Sequence, residues 1–125
     1  MLGLLVSTAV AQTPQPRAAI DRVDTLSPYL GACVEKRLSG EVFTGQREAT
    51  FSVSFRRDGS IFGQPTRTHS FPAADTADQA KFLRMTEDAI RSCAPLPFSK
   101  GLGEAIAGRP YRFRYIFKPN KDQPA

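Results

Sequence analysis

Apolar and polar residues alternate from Thr50 to Arg56. Phe51, Val53 and Phe55 share one face, and Ser52 and Ser54 the other. Period two with one apolar face predicts a strand covered on one side only. Asp58-Gly59 follows, and a tight hairpin turn needs the positive φ that glycine supplies. The returning strand is expected over 60–68, but Gly63 and Pro65 lie in it. Proline has no donor for the ladder, so this strand belongs at a sheet edge or breaks there. A second alternating run comes near the C-terminus. Tyr111, Phe113, Tyr115 and Phe117 form one face, Arg112, Arg114, Ile116 and Lys118 the other, and Pro119 stops the strand.

Two segments carry helical spacing instead. Tyr29, Leu30, Cys33, Val34 and Leu38 fall on one face of a helix over 27–38, with Glu35, Lys36 and Arg37 opposite. Ser27 is the expected N-cap, Pro28 the first helical residue, and Gly40 the left-handed terminator. A second helix is expected over 76–92. Phe82, Leu83, Met85 or Thr86, Ala89, Ile90 and Cys93 make its apolar stripe, and Pro95 and Pro97 prevent its continuation. Residues 98–109 read as a glycine-rich loop in which Glu104-Ala105-Ile106-Ala107 has room for one helical turn. The order is helix, strand, strand, helix, strand.

The segment before the first helix has another character. Leu2-Gly3-Leu4-Leu5-Val6 is a short apolar run, and Ala9-Val10-Ala11 puts small residues where a signal peptidase reads them. Residues 1–11 are therefore expected to be a cleaved export signal, although the usual basic start is missing. Residues 12–24, with Thr13-Pro14-Gln15-Pro16, read as a proline-rich tether. The folded domain is expected over 25–119, with a polar tail at 120–125. Cys33 and Cys93 are the only cysteines. In an exported chain such a pair is expected to form a disulfide. It would close a loop of about 60 residues and stabilise the fold by about 4 kcal/mol in the chain-entropy model.

Charge adds little. The net charge is +5, but the cations are spread along the chain without a basic block. That pattern does not point to nucleic acid and favours anionic partners only weakly. No segment approaches the ~20 apolar residues of a spanning helix. Candidate chemistry is sparse. His69 is the only histidine and has no motif partner. Asp75, Asp78, Glu87 and Asp88 are spread along a helical face. Gly101, Gly103 and Gly108 lack the ending of a phosphate loop. Two cysteines and one distant histidine make a poor ligand set. No metal, cofactor or catalytic set is expected, and a small periplasmic enzyme is the least favoured function.

The hairpin with Asp58-Gly59, the helix ending in Ala89-Ile90 and Pro95-Leu96-Pro97, and the strand ending in Phe117-Lys118-Pro119 together resemble the C-terminal domain of TonB and TolA. The resemblance covers roughly Tyr29 to Pro119. The insert over 104–108 and the final Phe-Lys-Pro look closer to TolA. What the resemblance implies is an α+β fold, with two main helices on one face of a three-stranded antiparallel sheet and the last strand at an exposed edge beside the first. It also implies a periplasmic module that binds envelope proteins, Tol- or TonB-system components among them, by adding a partner's extended segment to that edge. Carried to this chain, the contact strand is Tyr111, Arg112, Phe113, Arg114, Tyr115, Ile116 and on to Lys118. Those proteins also carry a membrane anchor and a long spacer, where this chain shows a signal and a short tether, so the expectation is a stand-alone relative. Self-pairing of so apolar an edge into a homodimer is a further expectation. The alternative function is binding of anionic lipid head groups or polysaccharide through the basic surface.

Overall fold

The computed structural model describes residues 19–73 and 76–119. The expected signal over 1–11, most of the tether, the tail and Asp75 lie outside the described residues. The elements are a 3-10 turn (Val23–Thr25), α1 (Leu26–Arg37), β1 (Arg47–Phe55), β2 (Ile61–Phe71), α2 (Ala77–Cys93), α3 (Lys100–Ile106) and β3 (Pro110–Phe117). The strands form one antiparallel sheet in the order β2-β1-β3. The fold is α+β, with β1 in the middle and β3 at an edge beside it.

The alternation decides which face is covered. Phe51, Val53 and Phe55 of β1 and Phe113 and Tyr115 of β3 are buried together with Leu30 and Val34 of α1 and Phe82 and Ile90 of α2. Phe82 is fully buried at the junction. Its ring lies 5.4 Å from Phe43 in edge-to-face contact and 6.3 Å from Tyr115, stacked. Phe43 also meets Phe117 edge-on at 5.3 Å. Aromatic pairs in these geometries add to the stabilisation from burial alone.

The helix ends follow local chemistry. Thr76 caps α2, its hydroxyl accepting from Gln79 N at 3.1 Å, and Ser99 caps α3 in the same way through Leu102 N. α1 departs from expectation. Its N-cap is Thr25, which makes no side-chain cap bond, because the preceding 3-10 turn already feeds the helix. Ser27 lies inside α1, and its hydroxyl is hydrogen-bonded to the Tyr111 hydroxyl of β3.

β1 begins three residues before Thr50. Its first residue, Arg47, is in phase with Phe51 and therefore points at the helices, only 5 % exposed. Its Nη1 donates to Gln79 Oε1 at 2.7 Å, and its Nη2 lies 3.6 Å from Asp78 Oδ2. Burial of a guanidinium is tolerable only with such partners. The domain also starts earlier than Thr25. Ile20 is buried and bridges to Phe98, its N–H donating to Pro97 O at 2.7 Å.

Cys33 of α1 and Cys93 at the end of α2 form a disulfide, with Cα atoms 6.2 Å apart and 60 positions separating them in sequence. Arg37 Nη2 donates to Ser92 O at 3.3 Å beside it, a cation at a helix C-terminus. The hairpin turn docks nearby. Gly59 has φ +86°, Leu96 N donates to Gly59 O at 3.0 Å, and a Cβ on Gly59 would collide with the Leu96 backbone.

Reduction of the disulfide should cost about 2–4 kcal/mol, read as a lower urea midpoint with reductant than without; an unchanged midpoint would show that the closed loop contributes nothing. Gly59→Ala and Gly40→Ala provide a matched pair. Both glycines have positive φ, but Gly40 has nothing near its Cβ position. Gly59→Ala should therefore exceed Gly40→Ala in lost stability by about 1 kcal/mol or more, and equal losses would mean that the turn leaves Leu96 freely.

Candidate functional site

The two sheet edges are built differently. β2 carries Gly63 at φ +75°, Pro65, and register shifts against β1 between Thr50 and Phe51 and between Ser52 and Ser54. Arg56 Nη1 also occupies the Ile61 carbonyl at 2.7 Å. Such irregularity blunts an edge. β3 is regular. Every residue from Pro110 to Phe117 pairs with β1, from Ser54↔Pro110 to Arg47↔Phe117 without a shift. Among the described residues, no backbone–backbone hydrogen bond other than those of the β1 ladder reaches residues 110–118.

The side chains of the expected contact strand divide by face. Phe113 and Tyr115 are buried, and Tyr111 is half-buried with its hydroxyl held by Ser27. These three support the strand from beneath, and Tyr115 also lines the groove beside the edge. Arg112, Arg114, Ile116 and Lys118 are exposed. Arg114 is not free: its Nη2 and Nε donate to Glu48 Oε1 at 2.7 and 3.1 Å. Glu48 stands opposite Ile116 on β1, so the pair crosses the ladder diagonally. The Arg114 guanidinium holds the Glu48 carboxyl below its ordinary value. Arg112 and Lys118 have no ion pair or side-chain hydrogen bond among the described residues.

The register places the helix-free face in rows. Thr50, Ser52 and Ser54 make a polar centre, flanked by Arg112 and Arg114 on β3 and by Phe62, Thr66, His69 and Phe71 on β2. Phe62 is 59 % exposed and lies under the Arg56 guanidinium at 5.5 Å; Ile116 is 37 % exposed. Beside the β3 edge, on the helix side, a groove of about 480 Å³ runs between the strand and the end of α1, with Leu38, Tyr115 and Phe117 in it and Glu35 and Glu41 at its rim. Burial, with a smaller contribution from Glu35, raises the Tyr115 phenol above its ordinary value.

The other candidate groups do not converge. His69 stands exposed on the helix-free face opposite Thr50. Asp78 is tied to Arg47 and Glu87 to Arg91, while Asp88 lies on the surface. A groove of about 620 Å³ between β2 and α2 mixes Arg67 and Arg84 with Glu87 and Asp88 over Phe51. Gly103 lets α3 lie on the Arg57 carbonyl, which accounts for one of the three glycines in structural terms. No group of three His, Cys, Asp or Glu among the described residues is placed to hold a metal, and no described helix is long and apolar enough to cross a membrane.

Sequence reasoning missed Glu48 and the groove beneath the edge. The alternation of Phe51 and Val53, continued backward through Ala49 to Arg47, would have lengthened β1 and placed Glu48 on the face of Arg114. The groove has no such signal, because it depends on how α1 crosses β3.

The depressed Glu48 carboxyl gives a signed pH dependence. Its contribution to stability is complete above the ordinary carboxylate value of 4.5 and is lost as pH falls through the lower folded value. The stability difference between wild type and Glu48→Gln should be constant above that value and close below it, by urea titration at a series of pH values. A difference that grows on acidification would reject the pairing.

No curated protein and no solved structure matches the chain. A family model does match, over residues 16–119, and so includes every described element and both cysteines. The chain belongs to the family described as uncharacterised conserved protein UCP034077.

Proposed function

We propose that this domain is a protein-binding module of the cell envelope, working in the periplasm, that captures an extended segment of a partner by adding it to β3. The observation that carries this reading is the contrast between edges: β3 is unbroken over eight register pairs while β2 is bulged and carries a proline. Unpaired N–H and C=O groups along a regular edge supply affinity, and flanking side chains supply selectivity. The disulfide supports an oxidising compartment, since such bonds persist there. The resemblance to the TonB and TolA C-terminal domain agrees with the same site and strand.

A binding role is favoured over catalysis because His69, Asp78 and Glu87 stand apart, exposed or tied to arginines, and do not converge on one groove. Binding of anionic head groups or polysaccharide would need clustered cations. Here Arg22, Arg47, Lys81, Arg91 and Arg114 are engaged with carboxylates.

A photo-crosslinking residue at Arg112 or Ile116 in the exported protein should trap one partner through one extended segment, identified by mass spectrometry. The same residue at Gln64 on β2 should trap nothing specific. A proline placed within the trapped segment should abolish capture at Arg112. Adducts confined to Gln64, or capture that survives the proline, would reject addition at β3.

A further inference from the structure

An added strand points successive side chains to opposite faces, so an occupant of the β3 edge meets two different environments in alternation. On the helix-free side it meets Arg112, Arg114, Ile116 and Lys118, the last one position beyond the strand. Glu48 already neutralises Arg114 at 2.7 Å, which leaves Arg112 and Lys118 as cations without a carboxylate. On the helix side it meets the groove lined by Leu38, Tyr115 and Phe117 with the carboxylates Glu35 and Glu41, Lys118 reaching its lining at the strand end. Glu41 lies 3.3 Å from Lys81, but Glu35 has no ion pair among the described residues. An acidic side chain is favoured on the first side and opposed on the second. An apolar one gains burial on the second and, on the first, beside Ile116.

A second copy of β3 fails this test. Two-fold antiparallel pairing keeps the faces aligned, so even-numbered residues oppose even-numbered ones. The overlapping registers put Arg112 opposite Lys118, Arg114 opposite Lys118, Arg114 opposite Arg114, or Arg112 opposite Arg114. Of these, Arg112 opposite Lys118 sets two unpaired cations together, which destabilises a strand pair, and because residues 110–118 contain no acid, none of them gives Arg112 or Lys118 a carboxylate.

From these observations we infer that the strand captured at β3 is an alternating acidic–apolar segment of a different protein, its acids opposite Arg112 and Lys118 and its apolar residues over Leu38 and Phe117. This rests on β3 being the accepting edge, and it disfavours the homodimer expected from the apolar strand. In antiparallel addition the residue facing Lys118 comes first, then those facing Ile116, Arg114 and Arg112. The occupant therefore carries acids at both ends of the run, a β-branched residue after the first acid's neighbour, and a neutral polar residue opposite the occupied Arg114.

Fluorescence anisotropy of short labelled peptides on the disulfide-intact chain tests this. An in-phase acidic peptide should bind about tenfold tighter than one with lysines at the acid positions, and also tighter than one with its acids shifted to the groove side. The preference should reverse in Arg112→Glu/Lys118→Glu, whose sites are exposed and whose fold is checked by circular dichroism. Equal binding of acidic and lysine peptides, both lost on backbone N-methylation, would overturn the charge pairing while leaving edge addition intact. Binding of a peptide copying residues 111–118 as tightly as the acidic one would restore self-pairing and overturn the inference. Failure of every alternating peptide would overturn edge addition and this inference together.

Discussion

The rest of the structure depends on the bond between Cys33 and Cys93. α1 and α2 are separated in sequence by the whole β1–β2 hairpin, and the disulfide sets them side by side at 6.2 Å between Cα atoms. α2 reaches β3 through Phe82 against Tyr115 and Phe117, and α1 reaches it through the Ser27–Tyr111 hydroxyl pair. Without α1 held in place, the inner face of β3 would lose the contacts that α1 makes with it. A small domain with a limited core gains much from such a tie. The geometry of the edge is thus set partly by a covalent link between the two helices.

The elements with strict periodicity were legible in the sequence. Phe51-Val53-Phe55 and Tyr111-Phe113-Tyr115-Phe117 declared two strands and their inward faces, and Asp58-Gly59 declared the turn. The stripe from Phe82 to Cys93 declared α2 and, with Pro95, its end. The cysteines could be paired because a helix end and a helix face pointed toward one core. What was not legible consists of single residues whose burial is decided by distant chain. Phe43 follows Val42 in a short non-periodic stretch, yet Phe43 and not Val42 is buried, packed on Phe82 and Phe117. Ile20 follows proline-rich sequence, yet it completes a bridge to Phe98. Arg47 looks like surface and is buried, because the phase of β1 and the amide of Gln79 together make a place for it. Ser27 looks like a cap and instead faces a strand.

Of the candidate site, the strand and its two faces were readable, and the state of its charges was not. Alternation shows that Arg112 and Arg114 point the same way. Only the register, with Glu48 opposite Ile116, shows that one is occupied and the other is not. The same strand pattern that suggests a sticky edge therefore also encodes what the edge rejects.

The regular register of β3 has a mechanical consequence. Were a segment added antiparallel to β3, as proposed, tension along it would act along the strand axis. The β3–β1 ladder would then be loaded in shear, with all eight register pairs resisting at once. Peeling from one end would break them in turn. In the middle of the sheet, β1 is anchored to α2 at its start through Arg47–Gln79, and the turn past its finish is anchored through Gly59 to Leu96, just beyond α2. Tension entering at the edge would pass into the helical layer without first opening the hairpin, so rupture is expected at the added strand and not within the domain.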